Sequence, residues 1–227
     1  VKIAEVFYSL QGEGSLVGVP SVFVRTSGCN LRCVWCDTPY TSWAPEGEDW
    51  SLDRILETVD SYHAGHVVLT GGEPMIAPQI GDLSNALRRR GLHITIETAG
   101  TVNTPVACDL MSISPKLKNS TPLERDDGRW AQQHDRLRWQ PTVLKDLIAT
   151  YPYQLKFVIA DPRDLIEVDQ IRDALEVPRT RILLMPEGTT PAAIRRRGLW
   201  LAEICKENGY RLSPRLHVDL WGDKRGV

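Results

Sequence analysis

No apolar run in this sequence is long enough to cross a bilayer. Nor does charge of one sign dominate: 27 lysines and arginines stand against 29 aspartates and glutamates, a formal net charge of -2. No general attraction to nucleic acid or to an anionic membrane is therefore expected. Repeats and low-complexity segments are absent. Cysteine is scarce and odd in number, at five. With no recognisable targeting segment, that count argues against a disulfide framework and for a reducing cytoplasm. A second cysteine pair is also missing, which weakens a structural zinc site, since zinc usually takes four protein ligands. What remains is an ordinary globular composition, 42% hydrophobic and 25% charged. At 227 residues the chain can bury one large core or two small ones.

Three of the five cysteines crowd into one run, Cys29-Asn30-Leu31-Arg32-Cys33-Val34-Trp35-Cys36. Three thiolates on this C-x-x-x-C-x-x-C spacing can hold three irons of a cubane. The fourth iron is then left open to a small molecule. Cys33 and Cys36 alone could form a thioredoxin-like pair, but that leaves Cys29 without a role. Cys108 and Cys205 stand alone and read as small buried apolar residues. Two arginine runs, 88–90 and 195–197, look like nucleic-acid patches in isolation. The first precedes Gly91 and reads as a helix C-terminus, where cations oppose the helix dipole. The second reads as solvated helix surface, because no aromatic residues are interleaved.

Strand-like runs alternate with helical patterns. Strands are expected at 2–7, 21–26, 66–69, 93–97, 110–113, 153–159, 181–185 and 211–216. Helices are expected after Ser51, with Leu52, Ile55, Leu56 and Val59 on one face, and over 80–90, 165–175 and 191–208. This β/α order predicts an α/β fold with a parallel sheet and helices outside. About six units fit, too few for the eight of a closed barrel, so the fold class is an incomplete open (β/α) barrel. Functional residues should then gather at the C-terminal ends of strands. The polar stretch 118–142 reads as an excursion from the barrel, with no independent second domain.

After the strand ending at Leu69 comes Thr70-Gly71-Gly72-Glu73-Pro74. Two glycines permit close backbone approach, and bare N–H and C=O groups at a strand end suit an amino acid's ammonium or carboxylate. Alone this is compatible with a tight turn. With the cysteine loop it resembles the radical S-adenosylmethionine (SAM) superfamily. Further motifs narrow the resemblance: Leu10-Gln11-Gly12-Glu13-Gly14, Arg25, Cys36-Asp37-Thr38, Glu97-Thr98-Ala99-Gly100, Ser114-Pro115-Lys116, Met185-Pro186-Glu187-Gly188, and the end from Leu212-Ser213-Pro214-Arg215-Leu216-His217 to Val227. Together they resemble the 7-carboxy-7-deazaguanine synthase family over Lys2 to Val227, least strongly across 118–150.

The resemblance implies a single radical SAM domain over 1–227. It also implies conversion of 6-carboxy-5,6,7,8-tetrahydropterin to 7-carboxy-7-deazaguanine with loss of ammonia. Cys29, Cys33 and Cys36 would ligate a [4Fe–4S] cluster, and Thr38 would bind Mg²⁺. Trp35, Asp37, Gly72, Glu73, Ser114, Pro115, Lys116, Met185, Pro186, Glu187 and Gly188 would contact SAM. Leu10, Gln11, Gly12, Glu13, Arg25, Thr70, His217 and Val227 would contact the pterin. Such chemistry suits the residue types: Gln11 and Glu13 can read a flat polar ring, and Arg25 can grip a carboxylate through a bidentate fork. The family also implies an electron donor such as a flavodoxin and a homodimer. Lys156 stays open between an ion pair and a site role. His63, His66, His93 and His134 read as ordinary surface or core residues, and Ala99 stands where many relatives carry Asn. A radical SAM activase and a plain electron carrier are the rival readings. A pocket of polar readers argues against the first, and three grouped thiols rather than four against the second.

Overall fold

Short apolar strands and one-sided helices bury their faces on each other along a single sheet. The computed structural model describes residues 1–227. Its strands and helices run β1 (Lys2–Leu10), β2 (Pro20–Thr26), α1 (Pro39–Ser42), β3 (Glu48–Asp49), α2 (Leu52–Ser61), β4 (His66–Gly71), α3 (Ile80–Arg89), β5 (His93–Thr98) and β6 (Leu110–Ile113). They continue with α4 (Ala131–Arg138), α5 (Pro141–Thr150), β7 (Tyr153–Ile159), α6 (Asp164–Leu175), β8 (Ile182–Pro186), α7 (Pro191–Asn208), β9 (Arg211–Leu212) and α8 (Leu216–Trp221).

One sheet of nine strands has the order β3-β1-β2-β4-β5-β6-β7-β8-β9 and does not close. Every pairing from β2 to β9 is parallel. The expected open barrel is therefore present. A wholly parallel sheet is not: β1 pairs antiparallel with both β2 and β3. Residues 11–19 join β1 to β2, too few for the dozen or more that a parallel crossover needs. The sheet's interior is aliphatic; Val22, Leu69, Ile94, Ile96, Ile113, Leu155 and Leu184 are completely buried.

Local chemistry sets the helix ends. Ser51 Oγ accepts from Arg54 N at 3.2 Å and caps α2, whose Ile55, Leu56 and Val59 are buried. Arg88 and Arg89 lie in the last turn of α3, as expected for cations at a helix C-terminus. The second arginine run departs from expectation at Arg197, which ion-pairs with Glu187 at 2.9 Å instead of standing free in solvent. The last strand also departs. It stops at Leu212 instead of running to Leu216, where α8 begins. Pro214 has no N–H to extend a ladder, and Ser213 N donates to Leu184 O at 2.9 Å as the final contact with β8.

The 118–142 stretch contributes no strand and packs on the cysteine loop. Asp126 and Asp127 take left-handed backbone conformations, φ 56° and 51°, and turn the chain back onto the cysteine loop. Val34 N donates to Ser120 O at 2.9 Å, and Arg125 Nη1 donates to Val34 O at 3.0 Å. The Arg32 and Arg125 guanidinium groups lie over the Trp130 and Trp43 rings, at 4.8 and 3.9 Å. His134 is a core residue at 1% exposure. Its Nδ1 accepts from Arg32 N at 3.0 Å, so the neutral ring carries its proton on Nε2, 2.9 Å from Ser120 Oγ.

Burial, aided by the charges of Arg138 and Lys116, pushes the His134 pKa down from 6.5 to about 4. A depressed histidine contributes its full stability above pH 6.5 and loses it as the pH falls toward 4. The difference is on the order of 3 kcal/mol. His134→Asn keeps an acceptor for Arg32 N but cannot titrate. Its chemical-denaturation stability should fall less between pH 6.5 and 4 than that of the unsubstituted protein.

Candidate active site

The C-terminal ends of the parallel strands open into one cavity of about 550 Å³. Its wall holds Leu10 at the end of β1, Gln11, Gly12 and Glu13 just after it, and Arg25 near the end of β2. Cys29, Cys33, Trp35, Cys36, Asp37 and Thr38 of the following loop also line it. Thr70 and Gly72 reach it from β4, Ser114 and Lys116 from β6, Met185 from β8, and His217 and Val227 from the chain's last segment. Most of the residues singled out from sequence therefore share one space. Glu73, Pro115, Pro186, Glu187 and Gly188 do not line it. Glu73 lies beneath the glycine loop, Glu187 points to Arg197, and Pro186 lines a separate hollow beside α7.

The Gly71-Gly72-Glu73-Pro74 turn is held by what its residues lack and by what Glu73 supplies. A Cβ at Gly72 would stand 2.1 Å from Gly28 O and 2.8 Å from Thr41 O. One at Gly71, at φ +138°, would meet Thr26 O at 2.2 Å. Backbone atoms cannot yield that much, so both positions require glycine. Glu73 is completely buried. It accepts from Thr98 Oγ1 at 2.7 Å, Ala99 N at 2.8 Å and Met75 N at 3.1 Å. Ala99 therefore serves through its backbone, and no Asn side chain is needed for this contact. Burial raises the Glu73 pKa, although the three hydrogen bonds oppose it.

The three loop thiols are free and half-buried to buried. Burial pushes the Cys29 pKa up to about 12, with the nearby Glu73 adding to it, and burial raises Cys33 further still. Leu31 N points at Cys29 Sγ from 3.4 Å, and Ser42 Oγ stands 3.3 Å from Cys36 Sγ. No three His, Cys, Asp or Glu side chains converge as a single bound ion would require. A cubane asks for something different, since each thiolate binds its own iron. Cys108 and Cys205 lie in the apolar core, as expected.

A charge network crosses the opposite wall. Glu13 ion-pairs with Lys156 through one oxygen and with Arg215 Nε, at 3.0 Å, through the other. Burial would push the Glu13 carboxyl up, but Lys156, Arg215 and His217 outweigh it and hold it well below the usual carboxylate range. Arg215 also ion-pairs with Asp37 and donates to Gly188 O. Gln11 is oriented at both ends: its Oε1 accepts from Glu13 N at 3.1 Å and its Nε2 donates to Glu97 Oε1 at 3.1 Å. The other Glu97 oxygen accepts from Thr70 Oγ1 at 2.8 Å. Arg25 Nε donates to Glu5 Oε1 at 2.7 Å, while its two Nη groups meet no protein acceptor. Lys156 thus resolves as an ion pair at the cavity wall. Glu5, Glu97 and Arg215 were given no role from sequence. Position was the available signal for Glu97, which sits near the C-terminal end of a parallel strand.

Comparison with known proteins follows the same lines. The radical SAM superfamily model matches residues 23–115. A 7-carboxy-7-deazaguanine synthase of Halobacterium salinarum is 48% identical, over 97% of this chain and 90% of that protein. The chain belongs to the 7-carboxy-7-deazaguanine synthase family. A second such synthase, from Rhodopirellula baltica, is 44% identical over 99% of this chain and 88% of its own. The crystal structure of QueE from Escherichia coli superposes with a TM-score of 0.69 at 28% identity, covering 95% of this chain and 94% of that one. Archaeal TYW1 shares the fold alone, with a TM-score of 0.53 at 12% identity over 83% and 72% of the two chains.

As a member of this family the protein is a radical SAM enzyme that works with a [4Fe–4S] cluster and SAM. The residues present fit both groups. Three thiols from one loop line the same cavity as the Gly71-Gly72 turn, whose backbone packs directly on that loop at Gly28.

Gly72→Ala tests that packing. The added Cβ forces the loop away from Gly28 and Thr41. SAM affinity of the reconstituted protein, measured by equilibrium dialysis, should fall at least about tenfold, the equivalent of roughly 1.4 kcal/mol.

Proposed function

We propose that this chain converts 6-carboxy-5,6,7,8-tetrahydropterin to 7-carboxy-7-deazaguanine with release of ammonia, using Mg²⁺ besides the cluster and SAM, and that it acts as one radical SAM domain. One observation carries the reading. A carboxylate-gripping arginine and a pre-oriented set of polar ring readers share a cavity with the three loop thiols and the Gly71-Gly72 turn. An activase acting on a protein would have no use for such a set, and a plain electron carrier would have no use for the cavity.

In this reading Cys29, Cys33 and Cys36 hold the cluster. Gly72, Ser114, Lys116, Trp35, Asp37 and Met185 contact SAM, with Glu73 and Pro115 supporting from below and Pro186–Gly188 continuing behind Met185. When bound, the cluster and SAM would supply the radical hydrogen-abstraction chemistry that the reaction needs. The chain's own residues do the rest by position. Arg25 takes the substrate carboxylate with its free Nη groups while Glu5 fixes Nε, so the fork is pre-set and little ordering remains to be done on binding. Gln11 and Glu13 read the ring edge, and Thr70 hydrogen-bonds from the end of β4. Lys156 and Arg215 keep Glu13 ionised, so it accepts ring N–H groups and does not donate. Backbone at Leu10 and Gly12 closes on the ring from one side. His217 packs so near Gly12 that a Cβ there would stand 2.0 Å from its Nδ1.

Thr38 offers Mg²⁺ one hydroxyl beside the cavity, and no acidic cluster surrounds it. Magnesium commonly keeps several waters and completes its octahedron with substrate oxygens, so one protein ligand is compatible with a site that forms only with substrate. The same reading includes a one-electron donor such as a flavodoxin, a homodimer and a cytoplasmic setting. No helix is long and apolar enough to cross a membrane.

The decisive experiment is anaerobic reconstitution followed by incubation with SAM, reductant, Mg²⁺ and the carboxytetrahydropterin. Deazaguanine product should appear; SAM cleavage that ignores the pterin would sink the reading. Arg25→Lys keeps the charge but loses the fork, and a desolvated pair of this kind is worth roughly 2–5 kcal/mol. Product formed per unit time at low substrate should drop at least about thirtyfold, the lower end of that range, with cluster content unchanged. Thr38→Ala should remove most of the Mg²⁺ stimulation of turnover and spare the cluster. Unchanged magnesium dependence in that variant would take Thr38 out of the site.

A further inference from the structure

We infer that Arg215 is a positioning residue that couples the pterin end of the cavity to its SAM and cluster end, an inference that rests on the function proposed above. Its guanidinium sends each nitrogen to a different part of the chain. Nε donates to Glu13 Oε1 at 3.0 Å, Nη1 donates to Gly188 O at 2.5 Å, and Nη2 pairs with Asp37. Glu13 is a pterin reader, Gly188 ends the stretch that begins at the cavity-lining Met185, and Asp37 follows the third cysteine. No other side chain bridges these three segments.

The backbone around Arg215 is pinned from both sides. Ser213 N donates to Leu184 O, Ser213 Oγ accepts from Gly14 N, and Leu216 N donates to Gly12 O, all at 2.9 Å. With its Cα fixed and 6% of the residue exposed, the side chain has little freedom of its own. A guanidinium is planar and rigid, so its three donors move as one body. Gly188 stands at φ +145°, a conformation that L side chains rarely adopt, and its carbonyl meets the fork there.

Coupling follows from the partners that Glu13 shares. One of its oxygens is committed to Lys156 and the other to Arg215. A ring N–H arriving at Glu13 takes a further lone pair on an oxygen that already accepts from one of these cations, which weakens that cation's hold and lets it shift. When Arg215 shifts, Gly188 O and Asp37 are drawn with it. Pterin binding then biases the Met185–Gly188 stretch and the cluster loop toward one arrangement. Linkage requires the reverse effect to be equal: SAM must tighten the pterin by the same factor. A merely structural ion network would lower stability or both affinities and leave their ratio alone.

The test uses the reconstituted holoprotein under anaerobic conditions, without reductant, so that nothing turns over. SAM affinity is measured with and without the carboxytetrahydropterin, and pterin affinity with and without SAM. In the unsubstituted protein each ligand should tighten the other by the same factor, about fivefold or more. In Arg215→Lys that factor should fall below about twofold, with iron and sulfide per chain unchanged. Asp37→Asn, an exposed and fold-sparing change that cuts one arm of the fork, should give an intermediate factor. An undiminished factor in Arg215→Lys overturns the inference. Where that variant fails to assemble its cluster, an undiminished factor in Asp37→Asn overturns it instead. If the unsubstituted protein binds the pterin and makes product but shows no coupling, the inference alone fails. If it binds no pterin, the proposed function fails first.

Discussion

A carboxylate buried between two cations organises the wall of the cavity. Glu13 sits where the chain leaves the only long antiparallel strand, and Lys156 reaches it from β7 while Arg215 comes from the last segment. Removing one member of such a group leaves an uncompensated buried charge, which costs about 3–5 kcal/mol in comparable cases. The cost explains why the network is complete: each oxygen of Glu13 has a cation, and Arg215 has a second carboxylate in Asp37. Gln11 is aligned by the Glu13 backbone, and Glu97 is aligned by Gln11 and Thr70. Polar groups that would otherwise need water are thereby satisfied before any ligand arrives. Charge also raises the Lys156 pKa against the opposing effect of its own burial.

On the other side of the cavity the constraint is steric. Gly71 and Gly72 let β4 end against the backbone of residues 26–28 and 41. Glu73 then turns its carboxylate inward and ties the loop to the end of β5. The two walls are made differently. One is built from charged side chains with fixed partners, and the other lets backbone pack on backbone by leaving side chains out.

Much of this was legible in the sequence, and the boundary of legibility has a clear cause. β6, β7 and α7 have the limits expected from their residues, because apolar runs, Pro191 and Gly209 are local signals. The cysteine spacing and the glycine turn were readable for the same reason. Strand direction was not, since the antiparallel seat of β1 depends on how the sheet is assembled, and the period of a strand says nothing about its neighbour. α8 was hidden by a short β-like run ahead of Pro214. The Glu13–Arg215 pair joins positions 202 residues apart, and nothing in either neighbourhood announces the other. His134 was read as ordinary because its partners, Arg32 and Ser120, are set by the return of the 118–138 segment onto the cysteine loop.

Both margins of the sheet end in strands of two residues, Glu48–Asp49 on one side and Arg211–Leu212 on the other. A margin that short exposes only a few unpaired backbone groups, and here three of its four side chains are charged. Long flat margins invite another chain to add a strand and start a growing aggregate. These margins offer almost no template. That matters most for a chain whose iron-binding loop must be filled after synthesis, because a waiting apo form spends time at risk of self-association. Truncated, charged borders let the sheet wait for its metal without recruiting its neighbours.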